Sequence, residues 1–165
     1  MILVGLGGNV DSIRFGSPVK TLEAAIEELS LRSVGILSEI TWWKSPPDPP
    51  SDQPWFVNGV IKVKTRLEPE ELLEVLFEIE QLFGRVRVNK NESRPIDLDL
   101  LDFDGQIRVN FKEKLTLPHP RMHLRSFVLQ PLARIAPEWK HPILGLSAKE
   151  LYAELPRESW AKQII

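Results

Sequence analysis

The sequence predicts an α+β domain in which helices pack on the faces of an antiparallel sheet. Three observations point to it. Apolar residues recur at spacings of three and four in segments beginning at Pro18 and Pro69, the period of an amphipathic helix. Short apolar or alternating runs lie between and after those segments, as strands do. Proline and glycine clusters separate the runs, so no element is long.

The elements follow in order. Met1 to Leu6 is apolar from its first residue and ends at the turn signal Gly7-Gly8-Asn9; it reads as a buried strand. Ser17-Pro18 supplies a helix cap with proline at the first helical position, and Val19, Leu22, Ile26 and Leu29 form the apolar stripe that follows. Val34 to Trp43 reads as one strand. Five prolines then fall in the ten residues Ser45 to Pro54, a density that excludes a helix interior or a central strand and predicts a stiff loop. Phe56 to Thr65 is a second long strand. Pro69 opens a second helix with Leu72, Leu76, Ile79 and Phe83 on one face, closed by Gly84. Arg85 to Pro95 has no period and is a loop. Ile96-Asp97-Leu98-Asp99-Leu100 alternates strictly, as a half-buried strand should. Asp104-Gly105 reads as a hairpin turn, with short strands after it, one of them Leu115 to Leu117. A third helix runs near Phe127 to Ala136, which Pro131 suits only near its first turn. Ser147-Ala148-Lys149-Glu150 is a capping-box pattern that opens a last short helix. This order suggests a ferredoxin-like sheet in a three-layer α-β-α arrangement, expected to be a single domain over residues 1–165.

Composition narrows the function classes. With 42% hydrophobic residues, the 165-residue chain can bury a sizeable core. A net charge of −2 gives no global attraction to nucleic acid or anionic membrane. The absence of cysteine excludes disulfides, thiolate metal sites and cysteine nucleophiles. No apolar run approaches the roughly 20 residues of a membrane span, and the N-terminus lacks the basic start of a signal peptide. A cytoplasmic monomer that binds small molecules is the expectation, with no nucleic-acid or membrane partner. No P-loop motif occurs, and Val10 stands where a dinucleotide fingerprint beginning Gly5-Leu6-Gly7 needs its third glycine.

The sharpest chemical signal is Asp97-Leu98-Asp99. Residues i and i+2 of a strand share a face about 6.5–7 Å apart, so two carboxylates repel there unless a cation bridges them. Mg²⁺ takes one or two carboxylates together with phosphate oxygens and water. A solvated acidic face or a pair of arginine salt bridges would use the same residues. Arg85, Arg87, Lys90 and Arg94 surround the pair in sequence, and acid beside arginine is the make-up of a Mg²⁺–polyphosphate site. Glu80 borders the apolar stripe of the second helix, where a carboxylate needs a partner; an arginine of the next loop would serve. Leu117-Pro118-His119-Pro120-Arg121 fixes a histidine between prolines, with Arg125 close behind. Phe56 and Phe127 neighbour the polar Asn58 and Arg125, a composition suited to a flat heterocycle, although most phenylalanines are core.

Taken together, Gly7-Gly8-Asn9, Ser45-Pro46-Pro47, Asp52-Gln53-Pro54, Phe56-Val57-Asn58, Ile79-Glu80, Gly84-Arg85-Val86-Arg87, Arg94-Pro95-Ile96-Asp97-Leu98-Asp99-Leu100-Leu101, Leu117-Pro118-His119-Pro120-Arg121 and Arg125 to Leu132 closely resemble the 6-hydroxymethyl-7,8-dihydropterin pyrophosphokinase family. The resemblance spans nearly the whole chain in the family's order. It implies transfer of the β,γ-diphosphate of ATP to the pterin hydroxymethyl oxygen, with release of AMP, in folate synthesis. It implies two Mg²⁺ ions on Asp97 and Asp99, and catalytic roles for those residues and for Arg85 and Arg94 on a mobile loop. It places Glu80, Arg87, Leu100, Lys114, Thr116, His119 and Arg125 on the ATP side. Pterin would lie between Phe56 and Phe127, near Asn58, Asp97, Ser45, Pro46 and Asp48. A Mg²⁺-dependent nucleotidyltransferase, which attacks the α-phosphate, and a non-enzymatic ferredoxin-like binding module are the rival readings.

Overall fold

A computed structural model describes residues 1–85, 92–110, 112 and 114–164. Its strands are β1 (Ile2–Gly8), β2 (Gly35–Ile36), β3 (Trp43–Ser45), β4 (Phe56–Lys64), β5 (Asp97–Phe103), β6 (Arg108–Asn110), β7 (Leu115–Leu117) and β8 (Lys162–Gln163). Its helices are α1 (Pro18–Leu31), α2 (Pro69–Leu82), α3 (Ser126–Ile135) and α4 (Ala148–Glu154), with one 3₁₀ turn at Met122–Leu124. The main sheet runs β5-β1-β4-β3-β8, with β2 also on β4, and every pairing is antiparallel. No described helix is long and apolar enough to cross a membrane.

Strand periodicity divides the core in two. Ile2, Val4 and Leu6 of β1, with Leu98 and Leu100 of β5, face Leu22, Ala25, Ile26 and Leu29 of α1 and Leu72, Leu76 and Ile79 of α2. Leu3, Val60 and Leu101 face Val128, Leu129 and Leu132 of α3 and Leu151 of α4. The sheet is therefore sandwiched between α1/α2 and α3/α4, the three-layer arrangement expected of this pattern.

Several elements depart from the sequence expectation. The strand expected over Val34–Trp43 is two pieces, β2 and β3, both on β4. Between them the Ser38 hydroxyl takes the N–H of Lys62 at 3.0 Å, a place a backbone carbonyl would hold in a continuous ladder. Asp104 and Gly105 do form a tight turn with positive φ, 52° and 68°, but no hairpin results. β6 pairs with β7, and β5 stays on β1. The Asp104 side chain meets the N-terminal ammonium, and its N–H donates to Met1 O at 2.9 Å. Pro131 sits in the second turn of α3, where it leaves the carbonyl of Phe127 without its usual i+4 donor. Alternation along β5 ends at a bulge opposite Leu3 and Val4. Leu101 and Asp102 consequently both serve the α3 side, where Asp102 accepts from Trp139 Nε1 at 2.7 Å.

β5 is an edge of the sheet, and its backbone is satisfied by other means. The Leu98 N–H donates to Glu80 Oε1 of α2 at 2.7 Å, and Leu101 O accepts from His119 N–H at 2.8 Å. These two bonds fix the strand that carries Asp97 and Asp99 between helix α2 and the His119 turn.

Candidate active site

A cavity of about 300 Å³ opens on the α3 side of the sheet, where β1, β4 and β5 meet the proline loop and the start of α3. Gly5 and Gly7 of β1 line it. A Cβ on Gly7 would stand 3.1 Å from Asn58 Oδ1, while one on Gly8 would stand 2.4 Å from the Pro95 carbonyl oxygen, so Gly8 lets the Pro95 backbone approach β1 closely. Phe56, Asn58, Ser45, Pro46, Asp48 and Phe127 all line this cavity, together with Asp97 and Asp99. Residues separated by more than 80 positions in sequence thus share one surface. Asn58 is buried and donates from Nδ2 to Ser45 Oγ at 2.9 Å, which fixes both side chains on the cavity wall. The guanidinium of Arg94 lies 5.2 Å from the Phe56 ring centre and that of Arg125 lies 5.4 Å from Phe127.

The two aspartates have different partners. Asp97 binds both Arg85 and Arg94, with Arg94 Nε at 2.9 Å from Oδ2. Burial alone would raise its carboxyl, but Arg94 and Arg85 together outweigh burial and hold it below the usual carboxylate range. Among the described residues, Asp99 has Arg125 at 3.5 Å and His119 Nε2 at 3.8 Å. Burial, followed by the neighbouring charge of Asp97, pushes Asp99 up to about 6 against the opposing pull of Arg125, Arg85 and Arg94. One strand face therefore holds one firmly ionised carboxylate and one that resists ionisation.

Arg85 also pairs with Glu80, which is 2% exposed. Burial opposes the Arg85 charge, and the Asp97 and Glu80 carboxylates more than restore it, leaving Arg85 above its ordinary value. Burial, with Arg125 and Arg121 close by, depresses His119 to about 4. The imidazole is thus neutral at pH 7. Its Nδ1 accepts from the Arg121 N–H at 3.2 Å, which leaves the proton on Nε2, the nitrogen facing Asp99.

Not every residue singled out in the sequence reaches the cavity. Glu80 sits behind Arg85. Leu100 points into the core between the sheet and α1/α2. Thr116 lies on β7, and Lys114 precedes it at a positive φ of 57°. Arg87 and Lys90 lie outside the described residues. Conversely, Arg121 and Gln53 line the cavity. Both stand within motifs quoted from the sequence, but no local period marks them as site residues. Asn9 is legible in the sequence as a turn residue within the quoted Gly7-Gly8-Asn9 motif, with no side-chain role attached to it.

Comparison with known proteins identifies the family. The family described as 7,8-dihydro-6-hydroxymethylpterin-pyrophosphokinase matches residues 3–137. The chain belongs to this family. The matched span includes every cavity residue discussed above. The chain is 41% identical to the 2-amino-4-hydroxy-6-hydroxymethyldihydropteridine pyrophosphokinase of Synechocystis, over 93% of this chain and 75% of that protein. It is 40% identical to the enzyme of the same name from Haemophilus influenzae, over 94% of this chain and 90% of that one. The folic acid synthesis protein of Pneumocystis carinii is 39% identical, with the match covering only 20% of its length. The crystal structure of wild-type Plasmodium falciparum HPPK-DHPS superimposes with a TM-score of 0.70 at 16% identity, covering 93% of this chain and 44% of that one. That likeness concerns the fold, and it agrees with the pyrophosphokinase architecture described here. The chain is accordingly a pyrophosphokinase of folate synthesis.

Proposed function

We propose that this pyrophosphokinase transfers the β,γ-diphosphate of ATP to the hydroxymethyl oxygen of 6-hydroxymethyl-7,8-dihydropterin in the β1/β4/β5 cavity, releasing AMP. One observation carries the assignment of the site. The Asp97–Asp99 pair, flanked by Arg85, Arg94 and Arg125, opens on the same cavity that Phe56, Asn58 and Phe127 line. A diphosphate needs the cations and a pterin needs the flat apolar walls with an amide at the edge. In this reading the pterin lies between Phe56 and Phe127 where the two guanidinium groups now rest. Asn58, Ser45 and the backbone near Pro46 and Asp48 bind its polar edge. Arg85, Arg87, Arg94, Arg121 and Arg125 take the phosphates, and neutral His119 donates from Nε2. Glu80 holds Arg85 in place. Lys114, Thr116 and the backbone of Leu100 stand toward the nucleotide.

Two Mg²⁺ ions fit this donor set. Asp97 and Asp99 offer hard oxygen ligands, and the burial and neighbouring Asp97 charge that resist ionisation of Asp99 are what a divalent cation would offset. Asp97 and Asp99 would hold the ions, and since Mg²⁺ takes one or two carboxylates together with phosphate oxygens and water, the triphosphate and solvent would supply the remaining oxygens. When bound, Mg²⁺ supplies neutralisation of the triphosphate charge. The chain's own residues position the reactants. The aromatic pair orients the pterin, and the arginines hold the distal phosphates and absorb charge on the transferred group.

Chromatography of the nucleotides after a completed reaction tests this reading. AMP is the expected product. ADP would assign γ-transfer, and free pyrophosphate would assign the nucleotidyltransferase chemistry. The aromatic pair gives a second test. Phe56→Ala and Phe127→Ala are each expected to weaken pterin binding about tenfold, from lost stacking of about 0.5–1.5 kcal/mol added to lost burial, with nucleotide affinity nearly unchanged. Calorimetric titration of pterin in the presence of a non-hydrolysable ATP analogue measures this, and equal affinity in both variants and the parent would remove the clamp.

A further inference from the structure

His123 of the 3₁₀ turn and His141, which follows α3, meet edge to face, with ring centres 5.5 Å apart at 78°. Trp139 packs on His141 in the same way, at 5.8 Å and 75°. His141 is almost wholly buried, and its Nδ1 accepts the N–H groups of Ile143 and Leu144, each at 3.2 Å. Its proton therefore sits on Nε2. Burial, with His123 beside it, holds His141 below the ordinary imidazole range against the pull of Asp102, so the ring is neutral at pH 7. Nε2–H is thus a buried donor, and across the ring contact Nδ1 of His123 is a second buried nitrogen. Neither has a hydrogen-bond partner among the described residues. A buried donor and a buried acceptor left apart cost free energy that joining them recovers.

The two rings close a second route between β5 and the arginines that face it. Asp102 follows Asp99 on β5 and accepts from Trp139 Nε1 at 2.7 Å. The segment 139–145 is thereby fixed to the strand that carries Asp99. The His141 N–H donates to Leu146 O and the His141 carbonyl accepts from the Gly145 N–H, both at 2.8 Å, so the imidazole stands on a held backbone. His123 is the middle residue of Met122–Leu124. On one flank of that turn is Arg121, which lines the cavity, and on the other is Arg125, which faces Asp99 at 3.5 Å. Both arginines take phosphates in the reading above, on which this inference rests. We infer that His123 and His141 are positioning residues for Arg121 and Arg125: the Nε2–H of His141 is shared with Nδ1 of His123, directly or through one water, and this link sets where the 3₁₀ turn stands relative to β5. Neither imidazole touches substrate. The link needs one donor and one acceptor, so the pair works as a unit and each half is idle without the other.

Steady-state kinetics with ATP, Mg²⁺ and hydroxymethylpterin test this in the parent, in His123→Phe, in His141→Asn and in their double variant. His123→Phe keeps a ring against His141 and removes the acceptor. His141→Asn keeps an oxygen for the Ile143 and Leu144 N–H groups, as asparagine does in turns, and removes the inward donor. Each is expected to raise the KM for ATP about tenfold, the size of one buried hydrogen bond, while the KM for pterin changes less. The double variant is expected to match the worse single variant, because the second change removes a group whose partner is already gone. His123→Asn, which returns an acceptor oxygen to the place of Nδ1, is expected to recover most of the affinity for ATP. His141→Asn keeps its local turn and carries the test if His123→Phe does not fold. A parent-like KM for ATP in His141→Asn, even with a lowered melting temperature, or effects that multiply in the double variant, overturns the inference and leaves the two rings as packing. A parent that forms no AMP from ATP overturns the functional reading itself.

Discussion

Asp99→Asn is expected to melt at a higher temperature than the parent while losing about 10³-fold or more in turnover. The two effects have one origin. A carboxylate whose native value is raised to about 6, against roughly 3.9 in an unfolded chain, opposes folding wherever it must ionise. That penalty is fully present above pH 6 and disappears as pH falls through 6 toward 4, because the native state then binds its proton first. The side chain retains 34% exposure, so solvent screens part of the effect, and a gain of about 1 kcal/mol at pH 7 is the expected size. For a chain of this length that corresponds to roughly 2–4 °C. The gain should shrink to a small fraction at pH 4, where native Asp99 is protonated and only the unfolded chain is still partly ionised. Activity falls because asparagine cannot supply the charge the triphosphate site needs. Asp97→Ala is expected to lose a comparable amount of turnover and, in contrast, to lose stability, since it takes a carboxylate partner from both Arg85 and Arg94 and leaves Arg85 to Glu80. Thermal melts at pH 7 and pH 4, with initial rates at saturating Mg²⁺, decide both cases; a near-parent rate in either variant would end the assignment of the pair.

Glu80→Ala should be the most destabilising single change in the site, at about 3–5 kcal/mol. Glu80 accepts from the Leu98 N–H of an edge strand and pairs with Arg85, and it is buried. Its removal leaves a buried backbone donor without a partner and Arg85 with Asp97 alone. The melting temperature should fall by roughly 6–20 °C. Turnover should fall as well, because Arg85 loses the anchor that aims it at the cavity. Glu80→Gln keeps an acceptor for Leu98 N–H and should recover stability in larger measure than activity. Urea unfolding monitored by tryptophan fluorescence measures the first effect, and a loss below 1 kcal/mol for Glu80→Ala would show that Glu80 is dispensable to the strand.

The elements that the sequence announced most clearly are those whose signal is local. α1 and α2 begin at Pro18 and Pro69 as expected, since the stripes Leu22–Ile26–Leu29 and Leu72–Leu76–Ile79 arise from near neighbours in the chain. The capping box at Ser147 and Glu150 forms as its spacing requires. Asp97 and Asp99 share a face because two-residue alternation is a property of any strand, and the family motif around them was readable for the same reason. The pieces that misled were those in which distant groups compete with local preference. Ser38 interrupts an apolar run because its hydroxyl meets β4. Asp104-Gly105 makes its turn yet no hairpin, because the strand that follows it pairs with β7 instead of β5.

By itself, then, the sequence determined the layer pattern, the acidic pair and the family, each a consequence of residue order along the chain. The tertiary structure alone decided which arginine holds which aspartate, that Glu80 supports both Arg85 and the edge of β5, and that Asn9 lies between two loops more than 30 residues apart in sequence. Ion pairs and buried amides depend on how loops close and on what burial does to each charge. Those quantities exist only once the chain has folded, which is why Asp97 and Asp99, alike in sequence, differ in the readiness with which they ionise.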